Sequence, residues 1–387
     1  MRVEIKEKSM FQLFMSQMYP EYKSIQVDGI CIDSRVVQIN DMFIALKGDH
    51  ADGHHFISQA VDSGASIIIS EQEIDIQIPI IKVHSTRGFL VSFASVWWDQ
   101  FSVPVIGITG SNGKTTTKEM LVHVLQSTLS VAWMPGNYNS TIGLPLSLFA
   151  MSASSDIAIF EMGTSSPGEI KALVDMTKPE MGLITNIHPA HIEFFSDLEH
   201  IANEKAVLLE SLPSSGTAFI NLDDPSICSI ETTAHQITFG TIDSADFVGN
   251  WQFSSDKSEF TINGNKVAIP QYSETMARNT LAVYAVCKTL GLDHDTISQR
   301  LSSFSIPDGR GNILIKNEIT VINDTYNANP ESVKAGIRFA LSNSPDKRHI
   351  IIIGDMFELG AVSMEYHSDL GDFISHFDDI IVLTIGH

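Results

Sequence analysis

A glycine-rich turn that ends in a lysine and three threonines constrains the fold more than any other feature of this chain. Residues 103–106 read Val-Pro-Val-Ile, and residues 107–117 read Gly-Ile-Thr-Gly-Ser-Asn-Gly-Lys-Thr-Thr-Thr. The pattern predicts a strand, a phosphate-binding turn and a helix whose N-terminus faces negative charge. Its spacing, G-x-x-G-K-T, is shorter than that of the ordinary P-loop. We therefore predict an ATP site; the alternative is a glycine turn beside a surface lysine.

The side chains of this turn have distinct predicted tasks. Lys114 reaches the terminal phosphates, and the hydroxyl of Thr115 is placed to ligate Mg²⁺. The predicted nucleotide-binding residues of the turn are Gly110, Ser111, Asn112, Gly113, Lys114, Thr115 and Thr116.

Composition narrows the class of protein. The chain has 387 residues, a net charge of −22 and only three cysteines, without metal-ligand spacing. Such acidity argues against a nucleic-acid partner. The N-terminus lacks the apolar core of a signal peptide, and no run approaches the ~20 apolar residues that span a bilayer. We expect a cytoplasmic protein with reduced thiols and no membrane partner.

Alternating apolar strands and helical patterns predict an α/β protein with a largely parallel central sheet. The predicted domains are residues 1–84, 85–308 and 309–387. Residues 239–269 are richer in polar β-type residues and predict an antiparallel edge or insertion. Length alone favours two or three domains.

Several polar residues outside the turn admit two interpretations. Glu161 follows an apolar strand and is either a Mg²⁺ ligand or a solvated strand end. His188 and His191 share a loop, where phosphate or metal contact competes with a capping role. Lys205 alone indicates a surface lysine, and Arg310 indicates either a phosphate contact or a flexible linker.

In their order along the chain, the motifs resemble those of the Mur ligase superfamily, and the resemblance runs from about residue 28 to residue 386. The motifs are Asp33-Ser-Arg35, Phe43-Ile-Ala-Leu-Lys-Gly48, Asp52-Gly-His54, Gly110-Ser-Asn-Gly-Lys-Thr-Thr116, Gly136-Asn-Tyr-Asn139, Glu161-Met-Gly163, Thr185-Asn-Ile187 with His191, Lys205, Arg278-Asn279, Gly309-Arg310, Asn323-Asp-Thr-Tyr-Asn-Ala-Asn-Pro330 and Gly354-Asp-Met-Phe-Glu-Leu-Gly360.

The resemblance implies three joined domains: an N-terminal module for a UDP-sugar, a central P-loop ATPase and a C-terminal Rossmann-like ligase domain. It also implies two Mg²⁺ ions, with Thr115 and Glu161 on the first and His191 on the second. Lys205 matches a lysine that becomes carbamylated and then acts as a ligand. The implied catalytic residues are Lys114, Glu161, His191 and Lys205.

The resemblance assigns the remaining residues to substrates. Asn279 would contact adenine, Arg310 the phosphates, and Asp324 and Tyr326 the nucleotide. The UDP-sugar side would be held by Ser34, Arg35, Lys47, Gly48, Asn137 and Asn139, and the dipeptide side by Asn327 and Asn329.

The implied reaction is ATP-dependent amide formation in peptidoglycan precursor synthesis, by a monomeric enzyme. A carboxylate of UDP-N-acetylmuramoyl-tripeptide forms an acyl phosphate, and the amine of D-alanyl-D-alanine displaces phosphate from it. The MurE branch is a rival, but its Asp-Asn-Pro-Arg signature is absent. Folylpolyglutamate synthase shares the short P-loop but lacks a module like residues 1–84.

Two departures from the family pattern leave an alternative open. The family usually has Gly-Glu after the lysine, where this chain has Ala206-Val207. Its C-terminal domain also typically continues past the last strand seen here, so we expect residues 309–387 to form an incomplete domain. The alternative is an impaired or truncated homologue that binds nucleotide or UDP-sugar without ligating.

Overall fold

The computed structural model describes residues 1–48, 51–253 and 258–386. Contacts divide the chain into two compact units. The first comprises Met1–Val105, Leu129–Met162 and Ala172–Lys178, and the second comprises Ile106–Thr128, Gly163–Lys171 and Pro179–His387. The predicted domain boundaries at residues 84/85 and 308/309 stay predictions, and the predicted end at His387 lies outside the described residues.

Helices and strands alternate through both units, which confirms the α/β prediction. To residue 178 the elements are β1 (Arg2–Glu4), α1 (Lys8–Met18), β2 (Gly29–Cys31), β3 (Asp41–Ile44), α2 (Ile57–Asp62), β4 (Ala65–Ser70), β5 (Ile80–Lys82), α3 (Thr86–Trp98), β6 (Val105–Thr109), α4 (Lys114–Leu125), β7 (Val131–Ala132), α5 (Gly143–Leu148), β8 (Ile157–Glu161) and α6 (Glu169–Thr177).

The later elements belong to the second unit. They are β9 (Met181–Ile184), α7 (Leu198–Glu210), β10 (Thr217–Asn221), α8 (Pro225–Cys228), β11 (His235–Gly240), β12 (Phe247–Phe253), β13 (Ser258–Ile262), β14 (Asn265–Lys266), α9 (Glu274–Thr289), α10 (His294–Ser302), β15 (Asn312–Lys316), β16 (Ile319–Asn323), α11 (Pro330–Asn343), β17 (His349–Gly354), α12 (Ser363–Ser375) and β18 (Ile380–Ile385).

In the first unit a five-stranded sheet has the order β1-β2-β3-β4-β5. All pairs are parallel except β1 with β2, which places the N-terminal strand antiparallel at one edge. Arg2 on β1 donates from Nε and Nη2 to the carboxylate of the fully buried Asp41 on β3, at 2.7 and 2.9 Å. This ion pair anchors the edge strand, because a buried carboxylate needs a partner.

Aromatic side chains fill the space between α1, α3 and α5 of the first unit. Phe11 on α1 meets Trp97 on α3 edge-on with ring centroids 5.2 Å apart, and Phe149 directly after α5 at 5.9 Å. Phe11, Trp97 and Phe149 are fully buried. Large apolar rings at helical spacing explain why the otherwise unpredicted α1 forms here.

The second unit is built on a sheet in which β6, β9, β10, β11 and β12 run parallel, and β13 and β14 continue it antiparallel. Within the predicted antiparallel edge, residues 239–269, the pairs β12–β13 and β13–β14 are antiparallel, whereas β12 runs parallel to β11. Residues 254–257 lie outside the described residues. Because the strands are parallel, the ends of β6, β9 and β10 fall at one edge of the sheet, where binding loops gather.

The C-terminal part of the second unit contains the antiparallel hairpin β15–β16 and the parallel pair β17–β18. Helices α11 and α12 contribute Ile337 and Leu370 to a buried cluster, which Met356 and Leu359 from the turn after β17 complete. In the described part of the chain, no helix is both long and apolar enough to cross a bilayer.

Candidate functional site

The turn between β6 and α4 depends on its two glycines. Gly110 has φ +144° and Gly113 has φ +82°, conformations that residues with a Cβ avoid. A Cβ on Gly110 would collide with the Thr185 hydroxyl, and a Cβ on Gly113 would lie 2.6 Å from Asn279 Oδ1. Only glycine fits both positions, and the bare backbone at the start of α4 provides N–H groups for an anion.

The loop after β9 braces this turn. The Ser111 hydroxyl donates to the His188 carbonyl at 2.7 Å and accepts from the His188 N–H at 2.9 Å. The Asn112 N–H donates to Asn186 Oδ1 at 2.9 Å, and the Asn112 carbonyl accepts from the Thr185 hydroxyl at 2.6 Å. His188 therefore contributes to the turn through its backbone.

Lys114 lies at the first position of α4 and curls over the turn. Its Nζ donates to the Gly110 carbonyl at 2.6 Å and to the Ser111 carbonyl at 3.2 Å. Thr115 and Thr116 follow it and are buried. The ammonium is thus held beside the glycine turn, where it can neutralise phosphate oxygens.

Asn279 on α9 also lies against the turn. It is buried, and its amide faces Gly113. Its neighbour Arg278 points elsewhere, donating to Asp223 at 2.7 Å and lying over the Trp251 ring at 5.4 Å. The placement keeps Asn279 next to the predicted nucleotide site, and its adenine contact stays a prediction.

His191 lies on the loop after β9 with φ +57°, and its Nδ1 pairs with the Glu358 carboxylate. Burial lowers the pKa of His191; the Glu358 charge opposes this, and the positive charges of Lys114 and Lys205 reinforce it. His191 therefore lies close enough to Lys114 and Lys205 for their charges to affect its pKa.

Lys205 is not the surface lysine that its local sequence suggests. It is 3 % exposed on α7, where Ile201, Ala206 and Leu208 are buried as well. Burial lowers its pKa to about 7, with the Lys114 charge adding to the shift and Glu204 opposing it. A buried amine with such a pKa is substantially neutral at physiological pH, and neutral amines are nucleophilic.

Glu204, which the sequence analysis missed, organises the neighbouring loop. Its carboxylate accepts from the N–H groups of Gly168 and Ile170, each at 2.8 Å, and from the Thr164 hydroxyl at 3.5 Å. These bonds satisfy free amides at the start of α6. A buried glutamate inside an amphipathic helix, directly before Lys205, was the available signal.

Glu161 ends β8 in the first unit and is 3 % exposed. Its Oε1 accepts from Asn139 Nδ2 at 2.7 Å, and the Asn139 N–H donates to the Asn137 carbonyl at 2.7 Å. The structure thus joins the predicted carboxylate to a residue predicted to be on the UDP-sugar side. Glu161 is not a solvated strand end.

The other predicted UDP-sugar residues also lie in the first unit. Ser34 is buried and donates to Gln59 at 2.8 Å. Arg35 is exposed and pairs with Asp33 at 2.7 Å. Lys47 forms an isolated bridge with Asp52, and the Gly48 N–H donates to the Ala51 carbonyl at 2.9 Å. Their substrate contacts stay predictions.

Arg310 in the second unit is ordered by an aromatic ring. Its guanidinium lies 3.9 Å from the Tyr326 ring centroid, and the Tyr326 N–H donates to the Gly309 carbonyl at 3.0 Å. Burial raises the pKa of Asp324, and the Arg310 charge opposes this. The predicted nucleotide residues Arg310, Asp324 and Tyr326 therefore form one cluster.

The two asparagines predicted for the dipeptide side have different surroundings. Asn327 accepts from the Ala328 N–H at 2.9 Å. Asn329 caps α11 by accepting from the Ser332 N–H at 2.9 Å, and its amide faces that of Asn112 in the glycine turn. Asn329 is therefore near the nucleotide turn.

Among the described residues, no group of three or more His, Cys, Asp or Glu side chains could hold a metal ion by itself. In the second unit the predicted ligands are a hydroxyl, an imidazole and an amine. This donor set fits Mg²⁺ only if the amine becomes a carboxylate-like group and phosphate oxygens contribute.

Comparison with known families gives three consecutive matches. The Mur ligase family catalytic domain matches residues 26–95, the Mur ligase middle domain residues 108–287, and the Mur ligase glutamate ligase domain residues 309–386.

Individual relatives agree with these matches. UDP-N-acetylmuramoyl-tripeptide--D-alanyl-D-alanine ligase of Bacillus subtilis is 32 % identical over 364 residues, covering 92 % of this chain and 79 % of the relative. The ligase of the same name from Escherichia coli is 30 % identical, covering 94 % and 82 %.

Solved structures of MurF proteins also match this chain. MurF from Acinetobacter baumannii superposes with a TM-score of 0.87 at 29 % identity, covering 94 % of this chain and 81 % of that one. MurF from Thermotoga maritima in complex with ADP gives 0.81 at 31 % identity, covering 92 % and 83 %. The sequence and the fold of this chain show that it belongs to the Mur ligase family.

Proposed function

We propose that this chain is an ATP-dependent ligase that joins D-alanyl-D-alanine to UDP-N-acetylmuramoyl-tripeptide. One observation supports the proposal: Lys114 and Asn279 contact a turn in which Gly110 and Gly113 leave no room for a Cβ, and the charge of Lys114 helps to lower the pKa of the buried Lys205 amine. The relatives in Bacillus subtilis and Escherichia coli carry the name of this activity.

The chemistry is activation of a carboxylate followed by its capture. A tripeptide carboxylate oxygen forms a bond to the γ-phosphorus of ATP as the bond to ADP breaks. The amine of the dipeptide then forms the amide bond, phosphate leaves, and the amine loses a proton. Lys114 and the amides of the turn stabilise charge on the transferring oxygens, an electrostatic contribution of the kind that dominates phosphoryl transfer.

Mg²⁺ would neutralise the phosphates during this transfer. In the second unit its ligands would be Thr115, His191 and Lys205 after carbamylation. Glu161 keeps its ligand role as a prediction. Each of these side chains is buried or half-buried, as ordered metal ligands require.

Carbamylation of Lys205 fits the lowered pKa of its amine. The neutral amine adds to the carbon of CO₂, an N–C bond forms, and one proton is released. The product carries a negative charge, which removes the electrostatic conflict between Lys205 and Lys114. Carbamylation would therefore turn a repulsive pair into an attractive one.

The proposed function also includes the substrates, the compartment and the oligomeric state of the enzyme. The substrates are small molecules, with the UDP-sugar bound by residues of the first unit such as Asn137 and Asn139. We propose that the enzyme acts in the cytoplasm as a monomer, at the stage where peptidoglycan precursors are assembled.

The test is phosphate release by the purified chain with ATP, Mg²⁺, UDP-N-acetylmuramoyl-tripeptide and D-alanyl-D-alanine, each omitted in turn. We expect release to require every component and the product to be heavier by the dipeptide. Lys114→Met should abolish turnover, whereas Lys347→Met, which changes an exposed lysine, should not. Nucleotide binding without turnover would instead support a homologue that does not ligate.

A further inference from the structure

Two short stretches of chain after β3, residues 45–48 and 51–53, lie side by side in the first unit. Lys47 forms an isolated antiparallel bridge with Asp52, and the Gly53 N–H donates to the Leu46 carbonyl at 2.8 Å. A Cβ on Gly53 would lie 2.7 Å from the Leu46 carbonyl oxygen, so the main chains are in close contact. The position of Lys47 therefore depends on what holds Asp52.

The carboxyl ends of β2, β3 and β4 lie at one edge of the five-stranded sheet, because these strands run parallel. Ser34 and Arg35 follow β2, Lys47 and Gly48 follow β3, and Glu71 follows β4. Ligands of parallel sheets usually bind at this edge. The predicted UDP-sugar residues after β2 and β3 are therefore at the same sheet edge as the end of β4.

His54 connects the stretch after β3 to the end of β4. Its side chain is only 2 % exposed, and its Nε2 accepts from the Glu71 N–H at 3.0 Å. On the other side of the ring, Nδ1 lies 2.6 Å from Asp52 Oδ1. The His54 N–H donates to the same oxygen at 3.0 Å. One buried side chain thus joins two loops of the sheet edge.

The contact with Glu71 determines where the imidazole proton of His54 lies. A backbone N–H can only donate, so Nε2 must accept with its lone pair. A neutral imidazole carries one ring proton, which is then on Nδ1 and is donated to Asp52. The backbone N–H of His54, and then its ring, lower the pKa of Asp52, which keeps this acceptor ionised.

The far end of this connection is fixed as well. Glu71 Oε1 accepts from the Thr86 N–H at 2.8 Å and from the Thr86 hydroxyl at 3.1 Å. Thr86 is buried and is the first residue of α3. His54 therefore ties Asp52 to a segment that is itself bonded to the start of a helix.

We infer that His54 is a positioning residue for the UDP-sugar: its Nδ1–H tautomer holds Asp52 and thereby keeps Lys47 in place at the carboxyl edge of the sheet. The inference rests on the proposed function and on the prediction that Lys47 and Gly48 bind this substrate. Both ring nitrogens of His54 are engaged by the protein, so the ring acts through Lys47 and not by direct contact. Its effect should fall on substrate affinity and not on the chemical step.

A buried histidine that only fills the core is the competing explanation. It predicts that substitutions of His54 lower stability and that substrate affinity does not depend on which hydrogen bond is lost. Two substitutions separate the explanations. The amide nitrogen of Asn can replace Nδ1 as the donor to Asp52, whereas the amide oxygen of Gln can replace Nε2 as the acceptor for Glu71.

The first experiment is calorimetric titration with UDP-N-acetylmuramoyl-tripeptide. The Kd should rise roughly tenfold in His54→Gln, the scale of losing a hydrogen bond to a charged group. In His54→Asn it should stay within about twofold of the wild type, because the bond to Asp52 remains. Urea midpoints should fall similarly in both variants, since each loses one buried hydrogen bond. Equal Kd values in the two variants would overturn the positioning role.

The second experiment reads the His54 ring in the wild type without substrates. In protein with ¹⁵N-labelled histidines, long-range ¹H–¹⁵N spectra show which ring nitrogen carries the proton, and the ring is assigned through its own backbone amide. We expect a neutral ring protonated at Nδ1 in mildly alkaline buffer. A proton on Nε2 would overturn the inference, because the Glu71 N–H could then not donate to the ring.

Turnover and a matched control complete the test. In the active enzyme, His54→Gln should raise the KM for the UDP-sugar and leave kcat within about twofold. His55→Gln, which changes the exposed neighbouring histidine, should match the wild type throughout. A wild type that binds the UDP-sugar without ligating would remove the proposed activity, while the two Kd values would still decide the role of His54. A wild type that does not bind the UDP-sugar would overturn both.

Discussion

The side-chain amides of Asn112 and Asn329 face each other: Asn329 Nδ2 donates to Asn112 Oδ1 at 2.5 Å, and Asn112 Nδ2 donates to Asn329 Oδ1 at 3.3 Å. The first residue belongs to the glycine turn and the second caps α11. The start of α11 is thereby tied to the nucleotide turn.

Substitutions of Asn329 separate its role as the N-cap of α11 from its contact with Asn112. Asn329→Asp keeps an N-cap acceptor but replaces the donor with a charge that faces the turn, so stability should hold while the KM for ATP rises. An unfavourable interaction of about 1.4 kcal/mol between the new carboxylate and the nucleotide would raise the KM for ATP about tenfold. Asn329→Ala should additionally lose about 1 kcal/mol of stability with its cap. Urea unfolding and ATP titration check both values; an unchanged KM in Asn329→Asp would contradict the link.

Gly113→Ala should abolish or strongly weaken nucleotide binding. The new Cβ would meet Asn279 Oδ1 and would force a side chain into a left-handed conformation, which alone costs roughly 1–2 kcal/mol. Gly291→Ala is the matched control, since Gly291 has φ +89° but open space around it. Calorimetric titration with ADP should show a loss in the first variant only. Equal affinities would show that the contact with Asn279 does not matter.

Lys205→Met should change how stability depends on pH. The folded-state pKa of Lys205 is lowered to about 7, so between pH 7 and its ordinary value the unfolded chain binds more protons. Wild-type stability should therefore rise with pH in that window and be reduced below it. The variant lacks this group, so near pH 6 its free energy of unfolding should exceed that of the wild type by an amount on the order of a few kcal/mol. Toward pH 10 its free energy of unfolding should depend less on pH than that of the wild type.

Urea midpoints in CO₂-free buffer from pH 6 to 10 measure this difference. Lys347→Met serves as the control, because Lys347 is exposed. Parallel curves for the wild type and Lys205→Met would show that Lys205 titrates in the folded protein as it does in the unfolded chain.

Arg2→Met should destabilise the first unit by about 3 kcal/mol, because Asp41 would remain buried without its charged partner. Lys82→Met removes an exposed partner of Glu73 and should leave stability nearly unchanged, because water screens an exposed pair. Chemical denaturation followed by tryptophan fluorescence suits the comparison, since Trp97 and Trp98 lie in this unit. Similar losses in both variants would mean that the buried pair contributes no more than a surface pair.

Local patterns predicted the elements whose signals lie within a few residues. The strand–turn–helix around Gly110–Lys114 matches the structure because glycine spacing and apolar runs are local. Strand β1 escaped prediction, since its anchor Asp41 lies 39 residues away. Lys205 looked exposed because its burial depends on how α7 packs. The Glu358 contact with His191 could not be read from sequence, because the two residues are distant along the chain.

The reciprocal bonds between Ser111 and His188 have a consequence for ligand capture. A glycine-rich turn without such support would fluctuate among many conformers and would lose that freedom when a phosphate arrived. Here the neighbouring loop has already restricted the backbone, so much of the ordering entropy belongs to folding rather than to binding. We therefore expect hydrogen exchange at the amides of residues 111 and 112 to be slow before any nucleotide is added.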